Sequence, residues 1–296
     1  MFRKVLTRTI LSISLVFFTI VSSSYAKNNT IEKNKLIHFY NIAYVIGNKY
    51  NINPFILLGI AYQESHLQPY TININKFNKK VSVITDVNKF LGIFYYIFSS
   101  IKDNTNYYRL INNNCKIRII LYDNTIKKQY HYNLILKTYN SKVKILHKIV
   151  NFYSLIEKKF LNLKQKNHNI SFLIQLKTPL GIIASNKNSI IKLLTYFLNY
   201  TNNIDLGITQ INYKYWIKPS KINPLLVFIP EYAFDFTGQI LNQIKKSNRK
   251  IGNFEMIKRY HHNSKLGIQY AYNVVENMQF LYKKIISYYR NELALK

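Results

Sequence analysis

A mainly α-helical fold with a smaller β portion, an α+β class, is predicted by three observations. Apolar residues recur at helical spacing through both flanks of the chain, the middle reads as strands around a turn, and 48% hydrophobic content over 296 residues is ample for a buried core. The first 26 residues read as an export signal: Arg3, Lys4 and Arg8 precede an apolar run from Ile10 to Val21, and Ser24-Tyr25-Ala26 offers small residues for cleavage near Ala26. A retained anchor is the alternative, but the run is shorter than the roughly 20 apolar residues a spanning helix needs. Cys115 is the only cysteine, which excludes an intramolecular disulfide. None follows the apolar run, so the expectation is an exported, periplasmic protein that is not a lipoprotein.

After the signal, Leu36, Phe39, Ile42, Ala43 and Ile46 mark one amphipathic helix over Asn34 to Tyr50. A second opens at Asn53-Pro54, where Asn caps free amides and Pro suits the first turn, and runs through Leu57, Leu58, Ile60 and Ala61 to Glu64. From Lys76 to Lys177 the character changes, with 19 Lys and Arg against four acids. Lys116 to Leu136 reads as two strands around an Asp123-Asn124 turn, Ser141 to Leu163 as a basic helix and Ile170 to Leu176 as a further strand. The apolar stretch Phe90 to Ile101 fits a core helix, with a membrane- or partner-facing surface as the alternative. Helical patterning returns in Ile190 to Leu198, Tyr232 to Lys246, Phe254 to His261 and Leu266 to Tyr289. The expected organisation is therefore a signal (1–26), a helical domain built from 27–76 and 178–292, and an inserted α/β subdomain at 77–177 whose role is open. Asp86-Val87-Asn88-Lys89 and Ser185-Asn186-Lys187-Asn188, each before an apolar run, look faintly alike.

The formal charge of +30 directs the chain to polyanions. Peptidoglycan with its peptide carboxylates and anionic lipid both qualify, the latter as a peripheral membrane contact. Heavy use of Lys, Asn, Ile and Tyr also fits a compositional bias. Nucleic acid could use 26 Tyr and 18 Phe for stacking, but the export signal argues against such a partner. No metal and no cofactor is expected: His261 and His262 point apart on a helix, His131 and Cys115 stand alone, and the eight glycines form no phosphate loop.

Acids are scarce, 12 in all, and Glu64 falls three, four and seven residues after Ala61, Ile60 and Leu57. A helix turns all four to one side. An acid in an apolar wall tends to keep its proton near neutral pH, the state that donates to a glycosidic oxygen. A helix-end Glu reaching solvent is the plain alternative. The second constellation is Asp205-Leu206-Gly207-Ile208-Thr209-Gln210-Ile211-Asn212. Gly207 permits a tight turn, and the amides of Gln210 and Asn212 can both donate and accept, as N-acetyl sugars require.

In order and local spelling the two segments resemble the soluble lytic transglycosylase family. The resemblance takes in Asn53-Pro54, Glu64-Ser65, Leu67-Gln68-Pro69-Tyr70, Ile72-Asn73-Ile74-Asn75, Asn203-Ile204-Asp205-Leu206-Gly207, Gln210-Ile211-Asn212, Asn223-Pro224 and Arg259-Tyr260-His261. It covers Leu36 to Asn75 and Ser185 to Tyr282 and looks most like the branch that accompanies type IV secretion, conjugation and pilus machines. The resemblance implies a lysozyme-like domain that cleaves peptidoglycan and serves such a machine. It also implies Glu64 as the catalytic acid, Ser65 in the active-site wall, Gln210 and Asn212 along the sugar groove, and Tyr260 near the reaction centre. The sequence departs from the family at Thr209, where many relatives carry Met, at His261, where Asn is usual, and in the long insertion. These departures keep a second expectation alive, a catalytically impaired wall-binding or scaffold protein.

Overall fold

The computed structural model describes residues 32–99, 108–110, 114–137, 142–247, 251–261 and 264–294. The expected export signal lies outside them. The chain divides into two compact units, Met1–Gln63 with Gly238–Lys296, and Glu64–Thr237. These boundaries fall inside two helices and differ from the 76/77 and 177/178 borders expected from the change in charge.

The first unit is helical. It contains α1 (residues 32–50), the greater part of α2 (Pro54–Ser65), the later part of α6 (Pro230–Ser247), α7 (Asn253–His261) and α8 (Lys265–Ala294). As the sequence predicts, Asn53 caps α2, its side-chain oxygen accepting from the Phe55 amide at 2.9 Å. Gly59 lets α8 approach: a Cβ there would stand 2.8 Å from Met278 Cγ and 3.1 Å from the Val274 carbonyl. Nearby, Asn277 Nδ2 donates to Gln63 Oε1 at 2.9 Å.

The second unit carries the β structure. In chain order it holds β1 (Thr71–Ile74), β2 (Phe77–Val81), α3 (Ile84–Ser99), β3 (Tyr108–Leu110), β4 (Asn114–Asp123), β5 (Lys128–Lys137), α4 (Lys142–Gln165), β6 (Ile170–Leu176), β7 (Leu180–Ala184), α5 (Lys187–Leu198), β8 (Ile204–Leu206) and β9 (Ile211–Asn212). Two antiparallel sheets result, one ordered β3-β7-β1-β8-β9 and the other β2-β6-β4-β5. The mainly helical α+β class is therefore right, while β1, β2, β3, β7, β8 and β9 are strands the sequence reading left out.

One antiparallel ribbon runs through both sheets. β1 and β2 lie along β7 and β6 respectively, with Ile74 opposite Leu180 and Phe77 opposite Leu176. Each side of the ribbon then bends over two residues into a helix, Ser82-Val83 into α3 and Ser185-Asn186 into α5. The faint likeness seen in the sequence does not correspond to this, since residues 86–89 lie within α3 whereas Ser185-Asn186 form the bend before α5. The α3 stretch is core: Phe90, Leu91, Phe94, Ile97 and Phe98 are buried, and Phe90 packs on Phe94 and Tyr200 with ring centroids 5.1 Å apart in both pairs.

All four strands of the second sheet come from 77–177, in the order strand, helix, two strands, helix, strand. Ile117, Ile119, Leu121, Phe172, Ile174 and Leu176 alternate inward on one face. Both helices cover that face, Phe90 of α3 meeting Phe77 at 5.9 Å and Phe160 of α4 meeting Phe172 at 5.8 Å. At the sheet end Asp123 is buried, holding the Thr125 and Ile126 amides at 3.2 and 3.4 Å and contacting His168 Nδ1 at 2.6 Å.

Candidate functional site

Residues 56–61 of α2 are buried without interruption, so this is a core helix, apolar on every side. Polarity returns only at its end, where Glu64 is half-buried and Ser65 is 1% exposed. Leu57, Ile60 and Ala61, on the same flank as Glu64, are each 0% exposed. No basic residue occupies the last turn, and an anionic side chain at a helix C-terminus is opposed by the helix macrodipole.

The end of α2 is fixed by Ser65. Its hydroxyl donates to the Ile208 carbonyl at 2.7 Å and accepts from the Gln68 amide at 3.1 Å, so it is used in both directions. His66 and Leu67 follow with φ of 53° and 59°, left-handed conformations rare outside glycine, and Leu67 is buried. The chain turns sharply here and enters β1 four residues after Leu67.

Ile208 belongs to the bend between β8 and β9. Gly207 opens it with φ of +79°, donates to the Thr71 carbonyl at 2.9 Å and packs so closely that a Cβ would lie 2.1 Å from the Val227 carbonyl oxygen. Only glycine fits both demands. Gln210 is also left-handed, φ 51°, and its amide folds back to donate to Gly207 O at 2.7 Å and Thr71 O at 3.2 Å.

Asp205 organises the strands beside the bend. Asn212 Nδ2 donates to its Oδ1 at 2.6 Å and Asn75 Nδ2 to its Oδ2 at 2.9 Å, while Asn73 faces it across the β1/β8 pair. Asn203 Oδ1 accepts from both Asn212 at 3.1 Å and Asn75 at 3.4 Å. Burial pushes the Asp205 carboxyl up, against hydrogen bonds from Asn75, Asn212 and Asn73 that pull it down, and burial wins. The Asn212 side-chain Oδ1 accepts from the Tyr215 amide at 3.2 Å and caps the π-helical turn Tyr213–Ile217.

The structure thus brings Ser65, Gln210 and Asn212 together around the Gly207 bend, with Glu64 next to the Ser65 anchor. It also gives their polar atoms work within the fold. Both donors of Gln210 and the amide of Asn212 hold backbone and Asp205, so their contribution is to shape the bend, where the sequence suggested amides projecting toward sugar. Thr209, the departure from Met, is fully buried and receives a 2.9 Å hydrogen bond from Thr237 Oγ1. Tyr260 lies half-buried in α7 of the other unit, and neighbouring His261 stacks on Tyr270 with centroids 4.4 Å apart. The sequence alone does not group Asp205, Asn75, Asn203 and Thr237. The i, i+2 spacing of Asn73 and Asn75, which puts both on one face of an extended segment, was the available signal.

Among the described residues no cluster of three or more His, Cys, Asp or Glu could hold a metal ion, and no helix is long and apolar enough to cross a membrane. Cys115 is buried, and burial pushes its thiol up to about 12. No known protein family, curated protein or solved structure matches the chain significantly.

Proposed function

We propose that this chain is an exported peptidoglycan lytic transglycosylase with a lysozyme-like domain drawn from residues 27–76 and 178–292, acting in the periplasm to open the wall for a secretion, conjugation or pilus machine. The observation that carries the reading is the buried Ser65–Ile208 hydrogen bond. It ties the residue after Glu64 to the Asp-Leu-Gly bend, the two segments on which the resemblance rests. The left-handed residues at that junction support it as well, because strained backbone concentrates at functional sites.

In this reading the Glu64 carboxyl protonates the oxygen between N-acetylmuramic acid and N-acetylglucosamine. The resulting carboxylate takes the proton from the muramoyl 6-hydroxyl, whose oxygen closes on its own anomeric carbon and leaves a 1,6-anhydro end. Glu64 recovers its proton, and neither water nor a second carboxylate is consumed, unlike the paired-acid scheme of most glycosidases. Asp205, whose two oxygens already accept amide donors, is poorly placed to activate a water, which favours the anhydro route.

Mass spectrometry of digested sacculi tests this: anhydro-muropeptides are expected, and reducing-end products would refute it. Glu64→Gln should lower the rate about 100- to 10,000-fold, the usual worth of a general acid. A second reading, a wall-binding protein without cleavage, is favoured by the internal engagement of Gln210 and Asn212. Binding to sacculi with an empty zymogram would select it.

A further inference from the structure

The sheet of β2, β6, β4 and β5 has a second face that neither α3 nor α4 covers, and we propose that this face binds a carboxylate-bearing glycan, separately from the Glu64 site. The register defines it. Asn78, Gln175, Arg118 and Asn133 stand in one cross-strand row, with Lys80 one row away on β2 and Lys116 on β4. Asn78, Lys80, Lys116 and Asn133 are exposed.

Three observations select the ligand. The four strands contain one acid, Asp123, which points to the helix side and is buried against His168, so the strands themselves give the open face cations and no carboxylate. Charge complementarity therefore calls for an anion. Amides outnumber rings: the central row offers three carboxamides, whereas Tyr122 is the one benzene-type ring on this face. A platform for successive nucleic-acid bases needs repeated aromatics, while acetamido and hydroxyl groups need paired donors and acceptors. Finally, Gln175 is only 8% exposed and its Oε1 has no hydrogen-bond partner among the described residues. A buried acceptor left open is costly and wants a donor, which a sugar hydroxyl or acetamido N–H supplies.

The test is co-sedimentation of the full chain with insoluble peptidoglycan at fixed salt. The triple variant Lys80→Ser, Lys116→Ser, Arg118→Ser should bind about tenfold more weakly, as loss of several charge-assisted contacts implies. A charge-matched control, Lys144→Ser, Lys158→Ser, Lys164→Ser on the exposed side of α4, should bind like the parent. Equal losses in both would overturn the proposal in favour of general polycation behaviour. Gln175→Leu removes the open acceptor without changing charge, and it should keep or raise the melting temperature while weakening retention. Unchanged retention with Gln175→Leu would overturn the proposal too. Polygalacturonate should compete and neutral chitin oligosaccharides should compete less. Stronger competition by oligo-dT or by anionic lipid vesicles would transfer the face to another partner. Glycan cleavage is not the readout, so failure here leaves the Glu64 reading to its own assay.

Discussion

Ser65 and Ile208, 143 residues apart in the chain, are joined by a 2.7 Å hydrogen bond from hydroxyl to carbonyl in a buried setting. Replacing Ser65 by Ala leaves that carbonyl without its donor, a loss of about 1–3 kcal/mol. Ser65→Ala should lower the denaturation midpoint and, if Glu64 is the acid, reduce kcat more than it raises KM. Substitution by Thr, which keeps the hydroxyl, should recover part of both. Unaltered stability in Ser65→Ala would show that the bond is not a brace.

Gly207 admits no side chain. Ala at this position must hold a left-handed backbone and a Cβ 2.1 Å from the Val227 oxygen, so the bend has to move. Gly207→Ala should destabilise by several times the roughly 1 kcal/mol that φ alone imposes. Thermal unfolding measures this, and a shift below about 2 °C would contradict the packing described.

The two buried aspartates respond to pH with opposite sign. Asp205 is held above its ordinary value chiefly by burial. Its contribution to folding is fully present below the unfolded value near 3.8 and is lost as pH rises through the raised folded value. For Asp123 burial pushes up, but the His168 contact and the Ile126 and Thr125 amides prevail and hold it low. Its contribution is present above 3.8 and disappears as pH falls through the folded value. Carboxyl-detected NMR titration should give one midpoint on each side of the ordinary range. Two midpoints on the same side would refute one of the two environments.

Thr209 and Thr237 share one buried hydrogen bond of 2.9 Å between hydroxyls. Changing only Thr237 to Val should cost about 1–3 kcal/mol by leaving a buried hydroxyl without that contact. The double change to Val should cost less than the sum of the single changes. A double-mutant cycle with no coupling energy would show the pair to be incidental.

How much of this fold is legible in the sequence follows from length and period. α4, α5, α6, α7 and α8 were read within a few residues because each repeats its apolar stripe over several turns. β4 and β5 were readable from β-branched runs around Asp123-Asn124. The sheet that carries the bend was not, because its strands hold between two and five residues, too few to display alternation. Gln210 and Asn212 were found as residues, but their orientation depended on a left-handed backbone at one and a capping bond at the other, and spelling specifies neither. In a chain so rich in asparagine, the Asn73/Asn75 spacing marks a shared face but does not specify that Asn75 meets Asp205 or that Asn203 accepts from Asn75 and Asn212.

The ribbon that passes through both sheets ties them together within one compact unit. Ile74 and Leu180 are partners across a ladder, so the stretch between them departs and returns about 5 Å apart. Closing that gap with a short turn would remove β3, a strand of the first sheet, and Asn75, which holds Asp205. The strands beside the Gly207 bend therefore draw part of their support from the same segment that builds the second sheet.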